Sequence, residues 1–310
     1  MRTVKTAFFT VLFFRGGGGR KKRFIPSATE KTSKRTKYAN GLLFRVVFAS
    51  LRTVFLSPFQ KDIFMTDKII LEGAISVKAA VEAGNRDVFR IYTDEKKYSR
   101  DFGYICRKAR EKGIECVRTD ADGISELTKG ASHGGICAEV GARRYAEPEN
   151  LFERENPFVV LLEGVEDPYN FGDIIRSVYA AGATGLIVPK RNWMSADAVV
   201  TRASAGASEF ITAAAVDDFV PFLKEAKRRG ISVVAADRKD AVDMYGADLA
   251  SPLVLAIGGS YRGLSKPVFD EADTKIFIPY GNAFRNSLSA AGAAAAIAFE
   301  AFRQRSAKNE

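Results

Sequence analysis

Three segments concentrate the residues that could do chemistry. The first, 167–177, reads Asp-Pro-Tyr-Asn-Phe-Gly-Asp-Ile-Ile-Arg-Ser and follows an apolar run at 159–162. The second, 255–265, reads Leu-Ala-Ile-Gly-Gly-Ser-Tyr-Arg-Gly-Leu-Ser, and the third, 278–289, reads Ile-Pro-Tyr-Gly-Asn-Ala-Phe-Arg-Asn-Ser-Leu-Ser. Each falls where a strand should end and a loop begin. Glycines there allow tight turns and close approach of the backbone to a ligand, and open parallel α/β sheets bind ligands at the C-terminal ends of their strands. Gly258 and Gly259 followed by Gly263 do not have the spacing of a dinucleotide fingerprint, so each segment taken singly could be plain turn geometry. Arg176 keeps its charge and cannot accept a proton. Its chemistry would be to grip an anion or to stabilise a developing oxyanion; the bland alternative is a helix-surface arginine paired with Asp173. Asn170 could position a substrate, or cap the helix that follows. His133 is the single histidine, which argues against a His-ligated metal and against Ser-His-Asp chemistry.

The elements that must position these residues alternate. From residue 158 onward, strands are expected at 159–162, 185–188, 231–235, 253–257 and 275–278, with an extended stretch at 210–216. Helices are expected at 173–181, 196–205, 218–229 and 287–303. The run at 159–162 is continuously apolar, as in a strand buried on both faces. Strands alternating with helices imply a mostly parallel sheet covered on both faces. A smaller α/β unit precedes it, with strands at 69–71, 88–92, 114–117 and 136–140 and helices at 76–82 and 98–112. Residues 146–157, with two prolines and several acids, read as a linker. The expected division is 65–145, 146–157 and 158–310.

Composition narrows the class. The chain has 310 residues, 46% of them hydrophobic, enough for one large or two ordinary domains with a real core. No apolar run reaches the roughly 18 residues that span a bilayer. Cys106, Cys116 and Cys137 form no paired motif and point to a reducing compartment, hence a cytoplasmic protein. The net charge of +10 is misleading, because residues 1–64 hold 14 Lys/Arg against 2 acids, leaving a balance of −2 for the rest. That basic, Phe-rich extension has a glycine run at 16–19 and no sustained period. It reads as a start-site artefact or dispensable extension upstream of Met65. The alternatives are a disordered basic arm and a secretory signal, the latter weakened because a glycine run and basic cluster follow the apolar stretch 7–14 where a small-residue cleavage site should stand.

Together, and in this order, the three segments resemble the motifs of the SpoU/TrmH family of RNA ribose 2′-O-methyltransferases. Asn170, Gly172 and Arg176 match its Asn-x-Gly-x-x-x-Arg core, the stretch 201–207 (Thr-Arg-Ala-Ser-Ala-Gly-Ala) matches a segment between the first and second motifs, and Arg303-Gln304-Arg305 resembles its usual ending. Residues 71–84 and 132–136 look like the ribosomal-protein-like substrate-binding domain that often precedes the catalytic one. Two positions depart from the pattern: Ser260 where Glu is usual, and Ser289 where Asn is usual. The resemblance implies a trefoil-knotted, mostly parallel sheet, an exception to the rule that chains avoid knots. It implies S-adenosylmethionine as cofactor, bound by Gly258, Gly263, Leu264, Ile278, Pro279 and Leu288. It implies Arg176 and Asn170 as catalytic residues, no metal, a homodimer, and structured RNA, ribosomal in kind, as partner. His133 then reads as structural or RNA-facing, Tyr169 and Trp193 as candidates for base stacking or partial core, and the alanine-rich stretch 290–298 as a core or dimer seam. A non-catalytic RNA-binding or ribosome-assembly factor on the same scaffold is the rival reading, supported by Ser260 and Ser289. A Rossmann-type enzyme lacks its fingerprint.

Overall fold

The computed structural model describes residues 68–128, 132–191 and 196–308; the basic extension and Trp193 lie outside them. The elements near the N-terminus form a four-stranded sheet, from β1 (Ile69–Glu72), β2 (Val88–Asp94), β3 (Glu115–Thr119) and β4 (Ile136–Val140), in the order β1-β4-β2-β3. Helices α1 (Ala74–Ala83), α2 (Arg100–Glu111) and α3 (Ala121–Thr128) accompany it. The sequence did not signal α3. Buried His133 sits at its edge, accepting from the Gly135 amide at 3.0 Å through Nδ1 and lying 3.1 Å from Ser125 Oγ through Nε2. Both ring nitrogens are engaged, so the histidine is structural.

The second sheet has seven parallel strands in the order β7-β6-β5-β10-β8-β11-β9: β5 (Phe158–Glu163), β6 (Gly185–Pro189), β7 (Thr212–Val216), β8 (Ser232–Ala236), β9 (Val242–Asp243), β10 (Leu253–Gly258) and β11 (Thr274–Phe277). Six helices follow the small unit: α4 (Pro168–Ala180), α5 (Asp197–Ala203), α6 (Ala207–Phe210), α7 (Phe219–Arg228), α8 (Lys266–Asp270) and α9 (Ala290–Lys308). Side chains alternate across each strand, and β5 feeds two cores. Phe158, Val160 and Leu162 join one with α4 and α9, while Val159 and Leu161 join the other with α7. β10 divides in the same way, Leu255 and Ile257 against Val254 and Ala256. This double burial is why both strands are uniformly apolar.

Boundaries moved for local reasons. Helix α4 starts five residues before the expected 173, because Asp167 caps it, accepting from the Asn170 amide at 2.9 Å, and Pro168 occupies the first turn, where no amide hydrogen is missed. Asn170 is therefore a first-turn residue and not the cap. Residues 146–157 are no loose tether either. A 3₁₀ turn, Pro148–Phe152, buries Leu151 and Phe152, and the Phe152 ring stacks on Phe222 at 4.6 Å.

Candidate active site

Strands β5 and β10 lie side by side in parallel register, with Gly258 opposite Glu163, so the loops after them leave the sheet together. Their backbones nearly touch. The Gly259 amide donates to Glu163 O at 2.7 Å, and a β-carbon on Gly259 would stand 1.9 Å from Gly164 O. A β-carbon on Gly258 would stand 2.4 Å from both Gly263 C and Leu264 N. The turn closes when the Gly263 amide donates to Gly259 O at 2.8 Å, with Gly263 at φ +64, which glycine adopts without strain. The three glycines of this motif thus serve close backbone contact and a left-handed turn.

The third segment is held by its polar side chains. Tyr280 Oη accepts from the Leu288 amide at 3.1 Å, and the Arg238 guanidinium lies 5.4 Å from the Tyr280 ring centre while donating to Arg285 O at 2.6 Å. The two departures from the family pattern both act at the start of α9. Ser289 Oγ accepts from the Gly292 amide at 3.1 Å, and Ser260 Oγ accepts from the Ala290 amide at 3.1 Å. Serine caps a helix as well as asparagine does. Ser260 also ties the loop after β10 to the helix.

Between these loops lies a cleft of about 380 Å³. Gly258, Gly263 and Leu264 form one wall, Ile278 and Leu288 another, with Ile257 and Ile297 beneath. Five of the six expected cofactor residues therefore meet there. Pro279 instead lines a neighbouring recess with Asp240, Ala241 and Phe284. The cleft mixes apolar walls with polar side chains, among them Asp237, Arg238, Arg262 and Ser287, and has a size usual for small-ligand sites.

Arg176 and Asn170 line neither space, and both are exposed on α4. Arg176 has no hydrogen-bond or ion-pair partner among the described residues, so the pairing with Asp173 does not form. Tyr169 is exposed on the first turn and is not core. Gly172 faces α5, where a β-carbon would stand 2.6 Å from Ala203 Cβ and 2.9 Å from Val200 O. The glycine of the Asn-x-Gly-x-x-x-Arg core thus seats α4 on α5.

The segment 201–207 also has a structural cause. Gly206, at φ +82, lets α6 press against α1, since its β-carbon would lie 2.5 Å from Ala79 Cβ. Beside it is a buried charge cluster that sequence reasoning missed. Arg86 donates to Glu209 through Nε (2.9 Å) and Nη2 (2.8 Å) and also pairs with Asp197. Arg143 Nη2 reaches Asp197 at 3.0 Å, Glu209 and Ser208 at 3.1 Å and Thr201 at 3.3 Å, while its buried Nε has no partner. Burial opposes the Arg86 charge, but the ion pairs outweigh it and hold the guanidinium above its ordinary pKa. At the chain's other end Arg305 donates to four carbonyls, those of Leu249, Asn156, Pro157 and Ser251; Gln304 and Arg305 fasten α9 to nearby loops, while Arg303 pairs with Glu300 in the same helix. Burial pushes the Cys137 thiol up to about 12, and burial followed by a hydrogen bond to Cys106 does the same for Cys116, which keeps both protonated and poorly nucleophilic.

Comparison with known proteins agrees with this geometry. Residues 157–299 match the SpoU rRNA Methylase family, and residues 70–146 match a family described as RNA 2′-O ribose methyltransferase substrate binding. A Bacillus subtilis protein assigned to the TrmH family of tRNA/rRNA methyltransferases, YacO, is 31% identical over 243 residues, 76% of this chain and 97% of that one. The 23S rRNA (guanosine-2′-O-)-methyltransferase RlmB of Shewanella oneidensis is 28% identical over 245 residues, 78% of this chain and 99% of that one. Among solved structures, the SpoU methyltransferase AviRb from Streptomyces viridochromogenes, in complex with the cofactor AdoMet, superposes with a TM-score of 0.65 at 28% identity, covering 77% of this chain and 91% of that one. This chain belongs to the SpoU/TrmH family and is an RNA 2′-O-methyltransferase that uses S-adenosylmethionine.

Proposed function

We propose that the enzyme methylates a ribose 2′-hydroxyl in structured ribosomal RNA, with residues 65–145 selecting the RNA and residues 158–310 carrying the chemistry. The observation that carries this reading is the meeting of the second and third motifs around one cleft at the C-terminal edge of a parallel sheet. Gly258, Gly263, Leu264, Ile278 and Leu288 hold the cofactor there, with Pro279 supporting the loop from behind. When bound, S-adenosylmethionine supplies a methyl carbon on a positively charged sulfur, a leaving group that needs no further activation. Arg176 grips the phosphate next to the target ribose and stabilises negative charge as it grows on the 2′-oxygen, and Asn170 orients the ribose. Catalysis is chiefly alignment of two reactants. The trefoil-knotted threading is part of the same reading and rests on the likeness to the SpoU/TrmH family. A cytoplasmic setting goes with the ribosomal substrate.

The test is calorimetric titration with S-adenosylmethionine. Wild type should bind with one site per chain. Gly258→Ala should weaken binding at least tenfold, because the added carbon forces the two walls of the turn apart. Equal affinity in the two proteins would remove this cleft as the cofactor site.

Homodimerisation is part of the same reading. The outer stripe of α9 exposes Phe299 (47%) and Phe302 (49%), while Tyr179 at the end of α4 stacks on exposed Phe210 at 6.2 Å. Exposed aromatic side chains are enriched at interaction sites. Wild type should sediment as a dimer at micromolar concentration and Phe299→Glu as a monomer; a monomeric wild type would refute the dimer.

A further inference from the structure

Tyr261 is 95% exposed, on a turn whose two ends are fixed by hydrogen bonds. Gly259 is bonded to Glu163, Gly263 to Gly259, Ser260 to the start of α9, and the Ser265 amide donates to Glu163 Oε2 at 2.7 Å. The apex, Ser260-Tyr261-Arg262, therefore cannot fold back to bury its ring. The turn is a partition. The cofactor cleft lies on one side, lined by Ser260, Arg262 and Gly263. A second cleft of about 610 Å³ lies on the other, lined by Arg262, Gly263, Glu166, Arg191 and Phe219. Arg262 is itself exposed, with only a loose contact to Glu166 at 4.0 Å. Tyr261 and Arg262, consecutive and both exposed, thus stand at the rim of the cleft proposed for methyl transfer, between two residues that line it. Proteins read single-stranded and splayed RNA by stacking bases on such rings, helped by arginine.

We propose that Tyr261 is a base-stacking platform: a nucleobase of the substrate strand lies on its ring, with Arg262 beside it, and so sets the ribose over the cofactor cleft. This rests on the reading of the protein as an RNA ribose methyltransferase. It makes Tyr261 a substrate-contacting residue with no part in cofactor binding, since its side chain does not line the cleft.

Tyr261→Leu, Tyr261→Phe and Tyr261→Trp separate ring from bulk. The leucine is of comparable size but offers no aromatic face, and an exposed apex residue is replaceable without loss of fold. In methyl transfer to unmodified ribosomal RNA, the leucine variant should raise KM for RNA about tenfold, the scale of one stacked base. The phenylalanine and tryptophan variants should stay near wild type, and all four proteins should share one affinity for S-adenosylmethionine and one melting temperature. Binding of a short single-stranded RNA carrying 2-aminopurine gives a second readout, with stacking quenching its fluorescence in the aromatic proteins and not in the leucine variant. Equal KM and equal quenching in the leucine and phenylalanine variants would overturn the platform. If wild type binds RNA but transfers no methyl group, the proposed function fails instead, and the quenching experiment still decides the role of the ring.

Discussion

Arg176→Ala should lose methyl transfer about a hundredfold or more, the effect expected when one contact to developing oxyanion charge is removed. The side chain is exposed and free of partners among the described residues, so its removal leaves no buried group unpaired and should cost almost no stability. Cofactor affinity should be unchanged, because Arg176 does not line the cleft, and RNA affinity should fall only slightly. Lysine should rescue poorly, since a point charge replaces a planar fork that can hold two oxygens at once. The measurement is kcat and KM for labelled methyl transfer alongside a cofactor titration. An alanine variant as active as wild type would leave the enzyme without Arg176 as its central residue.

Arg86→Met should produce the largest loss of stability in the chain, about 3–5 kcal/mol, because it strands buried carboxylates. The Arg86 and Glu209 side chains are both fully buried, and with Arg86 gone Asp197 and Glu209 would share Arg143 alone. A buried ion cluster is a poor source of net stability compared with apolar packing, yet breaking one is costly. Here it joins two residues of the small unit to two residues of the large one, and fixes how α5 and α6 meet α1. Denaturant unfolding of the two proteins measures the difference. Arg90→Met, which breaks an exposed pair with Glu115, should leave the midpoint where it was. A cost for Arg86→Met below about 1 kcal/mol would contradict the assignment of an unrelieved buried charge.

What was legible in the sequence follows from range. β5 and β10 announced themselves because a strand buried on both faces is a continuous apolar run, and α7 because Asp218 caps it and an apolar stripe faces the core. Five cofactor-cleft residues could be named because three segments resemble one family's motifs in the same order; each glycine turn alone could have been plain turn geometry. The short elements β9 and α8 carried too little pattern, and the start of α4 lay earlier than expected because Asp167 caps the helix and Pro168 occupies its first turn. The cluster of Arg86, Arg143, Asp197 and Glu209 was invisible, since its partners are up to 123 residues apart. The departures at Ser260 and Ser289 looked like damage in one dimension. Only the fold shows both hydroxyls meeting the free amides of one helix end.

The most direct measurement is transfer of a labelled methyl group from S-adenosylmethionine to unmodified ribosomal RNA by the full chain, followed by alkaline hydrolysis of the product. Alkali cleaves RNA through its 2′-hydroxyl, so a methylated ribose protects the bond beside it. Label recovered in an alkali-resistant dinucleotide, and lost with Arg176→Ala, is the expected result. Label released on mononucleotides would mean that a base is methylated, and no label at all, from protein that binds the RNA, would mean that the scaffold binds without catalysing.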